Sequence, residues 1–104
     1  MNAGAAAIRR SVVRGTGHYL PERVVENDFF AQTLDTSDEW IRSRTGIERR
    51  HFAAEDQRTS DLAIAAARAA LDDAGMEADQ IDAIVLATST PDFTFPSVAT
   101  MVQA

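Results

Sequence analysis

"DLAIAAARAALDDAGMEADQIDAIVLATST", residues 61–90, joins a helix-forming run to an apolar run that does not alternate. Thr59 or Ser60 stands before it as a candidate N-cap, Gly75 supplies a stop, and the alanine-rich interior has high intrinsic helix propensity. Leu62, Ala65, Ala66 and Ala69 fall on one stripe of small side chains, which suits a helix lying close on a sheet. From Ala83 to Ala87 every residue is apolar, the pattern of a parallel strand buried on both faces. A helix feeding such a strand predicts an α/β fold.

Working outward, "IRRSVVRGTG" carries Ile8, Val12 and Val13 and ends in Gly15 and Gly17, which predicts a first strand at 8–15. "YLPERVVEN" reads as a loop ending in an N-cap, Asn27, with a short helix over 28–33. In "TSDEWIRSRTG", Thr36 stands three residues before Glu39, the capping-box spacing, and Gly46 is placed to cap the other end. "IERRHFA" is short and charged, an edge strand or extended loop. Beyond the second strand lie a loop, "PDFTFPS", and the start of a helix, "SVATMVQA". Two or three strands cannot cover both faces of a parallel or mixed sheet with their own crossovers, so this order predicts the beginning of a larger α/β domain. No internal repeat or linker interrupts it.

Composition bounds the function. The chain of 104 residues is 45% hydrophobic and 25% charged, as a soluble globular segment is. It has no Cys, hence no disulfide, thiolate metal site or cysteine nucleophile of its own. A cytoplasmic location is expected, no apolar run suits a membrane span, and residues 1–10, "MNAGAAAIRR", read as a short disordered leader. The net charge of -6 argues against nucleic acid as a partner.

Four constellations could carry chemistry. "GTG" at 15–17 is half of a dinucleotide fingerprint, but its third glycine is missing and a turn is the better reading. His18 and His51 lack ligand-spaced partners, so no metal site is expected. Asp72 and Asp73 read as a solvated helix end. The fourth is residues 36–50, where Trp40 sits among Arg42, Arg44, Arg49 and Arg50. On a helix, Trp40 and Arg44 lie one turn apart, and an indole beside a guanidinium can hold a flat base while arginines take phosphates. Residue types alone favour the plainer alternative, a buried tryptophan with a solvated arginine rim.

The stretches "GTGHYLPERVVEN", "DTSDEWIRSRTGIERRHFA", "DLAIAAARAALDDAG" and "IDAIVLATSTPDFTFPS", in that order, resemble the N-terminal part of the β-ketoacyl-acyl-carrier-protein synthase III family, thiolase-fold condensing enzymes. The resemblance covers residues 11–104, leaves 1–10 outside, and implies an incomplete N-terminal portion of a thiolase-like domain. It implies an acyltransferase that condenses acyl coenzyme A, in the simplest case acetyl coenzyme A, with malonyl-acyl carrier protein, with decarboxylation, to start fatty acid synthesis. Coenzyme A is then part of a substrate and no cofactor is expected. The family's catalytic Cys would lie beyond Ala104, with His and Asn further on, so this segment alone should be inactive. Trp40 matches the tryptophan that stacks on adenine, Arg44 the arginine on the base's other face, and Thr36 a residue near the same nucleotide. Phe95 matches a phenylalanine that crosses a homodimer interface into the partner's acyl pocket. Arg42, Arg49 and Arg50 match no individual role, although their charge suits phosphates and an acidic carrier protein. Two alternatives stay open: a related acyl transfer in secondary metabolism, and a non-catalytic interaction module complete at 104 residues.

Overall fold

The computed structural model describes residues 7–104. Its ladder pairs β1 (Arg23–Glu26) with β2 (Arg49–Phe52) antiparallel, Arg23 opposite Phe52 and Glu26 opposite Arg49. β2 is the expected short edge strand. β1 corrects the sequence reading, which made its residues a loop: Val25 is buried at 3% exposure while Val24 faces outward, so a single inward side chain sets the strand's face. The leader expected at 1–10 falls largely outside the described residues; residues 7–10 are exposed and carry no regular structure.

The helices keep their places but shift their caps. α1 covers Asn27–Ala31, starting one residue earlier and ending two residues earlier than expected, and Glu26 rather than Asn27 holds the N-cap position. α2 covers Asp38–Thr45, and its cap is Ser37, whose Oγ accepts the Trp40 N–H at 3.1 Å. The capping box expected from Thr36 and Glu39 therefore does not form, because Ser37 already takes the orphan amide. Gly46 ends α2 as expected, with φ 73 and its N–H on the Arg42 carbonyl. α3 covers Thr59–Ala74; Arg58 precedes it, donating its N–H to Asp61 at 2.8 Å, so Thr59 and Ser60 lie inside the helix instead of capping it. Gly75 closes α3, and α4 (Val98–Gln103) starts at Ser97, whose Oγ accepts the Thr100 N–H.

α3 does lie close on another segment, through a slightly different stripe. A Cβ placed on Gly15 would stand 2.7 Å from the Ala74 nitrogen and 2.9 Å from the Ala70 oxygen, and one on Gly17 would collide with the Ala70 nitrogen and the Ala66 oxygen. Residues 15–17 thus rest on the row Ala66, Ala70, Ala74, with Ala69 beside it. Ala66 and Ala69 were anticipated; Leu62 and Ala65 were not the contact. The "GTG" glycines are there for close approach to a helix backbone. Between them the Thr16 N–H donates to Asp73 Oδ2 at 3.0 Å, so Asp73 is a tether as well as a helix end.

Neither expected strand of the parallel sheet, 8–15 or 83–87, belongs to a ladder among the described residues. A strand is defined by hydrogen bonds to a neighbour, and these two segments have none here. They instead border an open hollow of about 890 Å³ with α3 and α4, lined by Val12, Gly15, Ile64, Leu71, Ile84 and Val102 among others. Val13 and Val85 are 81% and 98% exposed. The radius of gyration is 19.7 Å, against about 13 Å for a compact chain of this length.

Candidate nucleotide-binding site on helix α2

α2 is a helix of about two turns whose ends suit its dipole: Asp38 and Glu39 lie in its first turn, Arg42 and Arg44 in its last. Side-chain hydroxyls fold back along it, Ser43 onto the Trp40 carbonyl at 2.9 Å and Thr45 onto the Ile41 carbonyl at 2.8 Å. Trp40 is 54% exposed, and the Arg44 guanidinium carbon sits 5.4 Å from its ring centroid. The plain alternative of a buried tryptophan does not describe this indole. The pair is brought together as the helical spacing predicted, within the range of a cation-π contact. It is also closed on itself. A base held between two flat groups needs about 7 Å between them, twice a van der Waals separation of about 3.5 Å, so Arg44 must move before anything enters that gap.

What anchors α2 is Asn27, read from sequence as a helix cap and found 1% exposed. Its Nδ2 donates to Asp38 Oδ1 at 2.9 Å and to the Ile47 carbonyl at 2.8 Å, so one amide grips both ends of α2. Arg50 completes it, donating from Nη2 to Asn27 Oδ1 at 2.6 Å and from Nη1 to the Val25 carbonyl at 3.1 Å, with its guanidinium 4.8 Å from the Phe30 ring. Asn27 spends both amide protons and its oxygen in this way. Nothing in the local sequence distinguishes this from a cap, because all three partners are remote in sequence.

The arginine cluster is correspondingly less free than its sequence suggested. Arg42 pairs with Asp38 at 3.1 Å and Glu48 at 3.8 Å, and Arg50 is committed to Asn27 and Val25. Arg49 borders a small hollow with Glu26, Asp28, Asp38 and Glu48, an acidic setting. Of the three arginines whose charge is expected to suit phosphates, Arg42 is held in ion pairs at the surface and Arg50 in hydrogen bonds to Asn27 and Val25. Thr36 carries the opposite signal. Its Oγ1 is shielded from water with no hydrogen-bond partner, four residues ahead of Trp40. Buried hydroxyls are seldom left unpaired.

The remaining sequence candidates lie elsewhere. Phe95, 86% exposed, is on the loop before α4. His51 Nδ1 is 2.6 Å from the Pro21 carbonyl, which can only accept, so that nitrogen carries the proton and the ring serves β2. No helix among the described residues is long and apolar enough to cross a membrane.

No protein-family model matches the chain. Among curated proteins, beta-ketoacyl-acyl-carrier-protein synthase III of Paracoccus denitrificans (strain Pd 1222) is 80% identical over 97 residues, covering 93% of this chain and 30% of that protein. Among solved structures, beta-ketoacyl-acyl-carrier-protein synthase III from Thermus thermophilus superposes with TM-score 0.81 at 48% identity, over 89% of this chain and 29% of that one. The priming beta-ketosynthase of the R1128 polyketide biosynthetic pathway gives TM-score 0.83 at 33% identity, over 96% of this chain and 30% of that one. The chain thus spans about 30% of the length of the relatives it matches.

Proposed function

Given that the chain belongs, over the stretch it spans, to the β-ketoacyl-acyl-carrier-protein synthase III family with its thiolase-like fold, we propose that it forms the coenzyme A entrance of a condensing acyltransferase. The observation that carries this reading is the exposed Trp40 on a helix pinned at both ends, because an indole kept half in water and rigidly aimed is suited to receive a flat ring. Adenine stacks on Trp40, Arg44 lifts off the indole to cover the base's second face, and Thr36, four residues ahead of Trp40, stands near the same nucleotide. Arg49 adds positive charge to this face, partly offset by Glu26, Asp28 and Glu48 around it.

The full reaction joins an acyl group from acyl coenzyme A to the carbanion left when malonyl-acyl carrier protein loses carbon dioxide. No cysteine is present in this chain, so it supplies binding and not the nucleophile. Phe95, standing out from its loop, fits a homodimer in which it closes the partner's acyl pocket. A role in fatty acid synthesis is favoured over secondary metabolism by 80% identity to the Paracoccus enzyme against 33% to the polyketide one.

The test needs a complete enzyme, which a chimera provides: the matching 97 residues of this chain replace those of the Paracoccus denitrificans relative. An active chimera in which Trp40→Ala raises KM for acyl coenzyme A while sparing kcat is the expected result. An inactive chimera, or a Trp40→Ala variant with unchanged KM, overturns the reading.

A further inference from the structure

The loop from Thr90 to Phe93 is fastened to the start of α3 by four contacts from three residue pairs. The Ser60 N–H donates to Asp92 Oδ1 at 2.9 Å, and the Ser60 hydroxyl donates to Asp92 Oδ2 at 2.5 Å. The neighbouring Thr59 hydroxyl donates to the Thr90 carbonyl at 2.5 Å, and the Arg58 guanidinium sits 5.5 Å from the Phe93 ring. Ser60 itself is 5% exposed, whereas Asp92 arrives from 32 residues further along the chain. The first amides of a helix have no partner within it, and a carboxylate there is favoured by both hydrogen bonding and the dipole. Asp92 therefore acts as a cap delivered by a remote loop, with both its oxygens engaged. Two residues beyond Phe93, the same loop presents Phe95 at 86% exposure, and Ser97 then starts α4. Phe95 has no comparable anchor of its own among the hydrogen bonds and ring contacts of the described residues.

We propose that Asp92 is a positioning residue for acyl-chain selectivity: by locking its loop onto Ser60 it fixes where Phe95 projects. The proposal rests on the reading of Phe95 as an acyl-pocket wall. A side chain that projects 86% into solvent is held only by its backbone, so the backbone's attachment decides its aim. Asp92→Ala removes acceptors from an amide and a hydroxyl at once; Asp92→Asn retains one oxygen acceptor and can donate to the Ser60 hydroxyl, which makes it the conservative variant.

In the chimera, kcat/KM is measured for acetyl, butyryl and branched acyl coenzyme A primers, with amide hydrogen exchange on residues 58–61 and 88–95. The expected result is that Asp92→Ala changes the ratio between primers about 3- to 10-fold, as a displaced pocket wall does, and speeds exchange in both segments. Asp92→Asn should recover most of the ratio. Adding Phe95→Ala to Asp92→Ala should change the ratio no further than Phe95→Ala alone, since both act through one side chain. If Phe95→Ala shifts the ratio and Asp92→Ala shifts neither ratio nor exchange, the latch is overturned while the Phe95 reading stands. If Asp92→Ala speeds exchange but Phe95→Ala leaves the ratio unchanged, the Phe95 reading fails, and the selectivity role of Asp92 falls with it. Loss of all folded protein for Asp92→Ala is met by Ser60→Ala, which removes only the hydroxyl bond; an unchanged ratio and exchange there also count against the latch.

Discussion

Trp40 and Arg44 distinguish a port from a packed core by the quantity each substitution changes. Removing a stacking aromatic from a base costs about 1–3 kcal/mol, which corresponds to about a 5- to 150-fold rise in KM. In the chimera Trp40→Ala should show that rise with kcat nearly intact, because adenine is remote from the reacting thioester and its binding is shared by ground and transition states. Its melting temperature should barely move, since the indole is 54% exposed. Arg44→Lys keeps the charge and loses the planar face, so it should weaken acyl coenzyme A binding too. An Arg44→Ala variant carries a second consequence of the closed pair: with nothing to lift off the indole, association of coenzyme A should lose less in rate than in residence time. Stopped-flow tryptophan fluorescence separates the two. A large melting loss with unchanged affinity would return Trp40 to the core.

At the scale of elements, Asn27 is the joint on which α2 depends. Asn27→Ala, at a position 1% exposed, removes a partner from the Arg50 guanidinium, the Ile47 carbonyl and Asp38; a polar group left unpaired out of water costs about 1–3 kcal/mol, and Asp38, 39% exposed and still paired with Arg42, adds least. Thermal melts of the chimera should fall by an amount of that order, with KM for acyl coenzyme A rising because α2 is no longer aimed. The remote cap on α3 makes a pH prediction. Asp92 is held below its ordinary pKa of 3.8, first by the Ser60 hydroxyl bond and then by the Ser60 amide and Arg58, against some opposing desolvation. A depressed carboxylate stabilises the fold above its unfolded pKa and loses that contribution as pH falls through the folded value. The melting difference between the chimera and its Asp92→Ala variant should therefore be constant at neutral pH and shrink once pH drops below about 4. A difference that grows with acid would contradict the assignment.

These elements also mark what a sequence can disclose. Local signals were read correctly: Gly46 and Gly75 end helices, Ser97 begins one, and Trp40 meets Arg44 one turn away, because a few neighbouring residues decide each. Caps at Asn27, Thr36 and Thr59 were misassigned because the competing groups, Ile47, Arg50 and Asp92, lie tens of residues off or, for Ser37, differ by a single position in the same chemistry. The partners of the arginine cluster were hidden for the same reason, since composition counts Arg42 and Arg50 without showing that Asp38, Glu48 and Asn27 pair with them. Strand 83–87 has the right composition for a buried parallel strand, yet no ladder forms, because pairing is a property of two segments.

For the molecule as a whole, surface area decides what this chain can do unaided. It exposes 8889 Å², where a folded monomer of its 11.3 kDa mass exposes about 5700 Å². Among the described residues the buried hydrophobic side chains are Val25 and Val98, while Ile8, Val12, Val13 and Val85 are more than 70% exposed. The exposed members are the residues whose sequence pattern demands burial on a parallel sheet, and the relatives that share this stretch are about three times as long. Apolar surface of that extent in contact with water favours association, and conformational entropy goes unopposed where no core forms. The isolated 104-residue chain should therefore elute as aggregate or as an expanded species and unfold without a cooperative transition. It should give no condensation product from acyl coenzyme A and malonyl-acyl carrier protein, since no thiolate is available to accept the acyl group. Size-exclusion chromatography with light scattering, calorimetry and a product assay check the three parts. A monomer with a sharp melt would refute the instability argument and favour a self-sufficient binding module, and the coenzyme A titration of that monomer would then show whether Trp40 and Arg44 bind the nucleotide without the rest of a condensing enzyme.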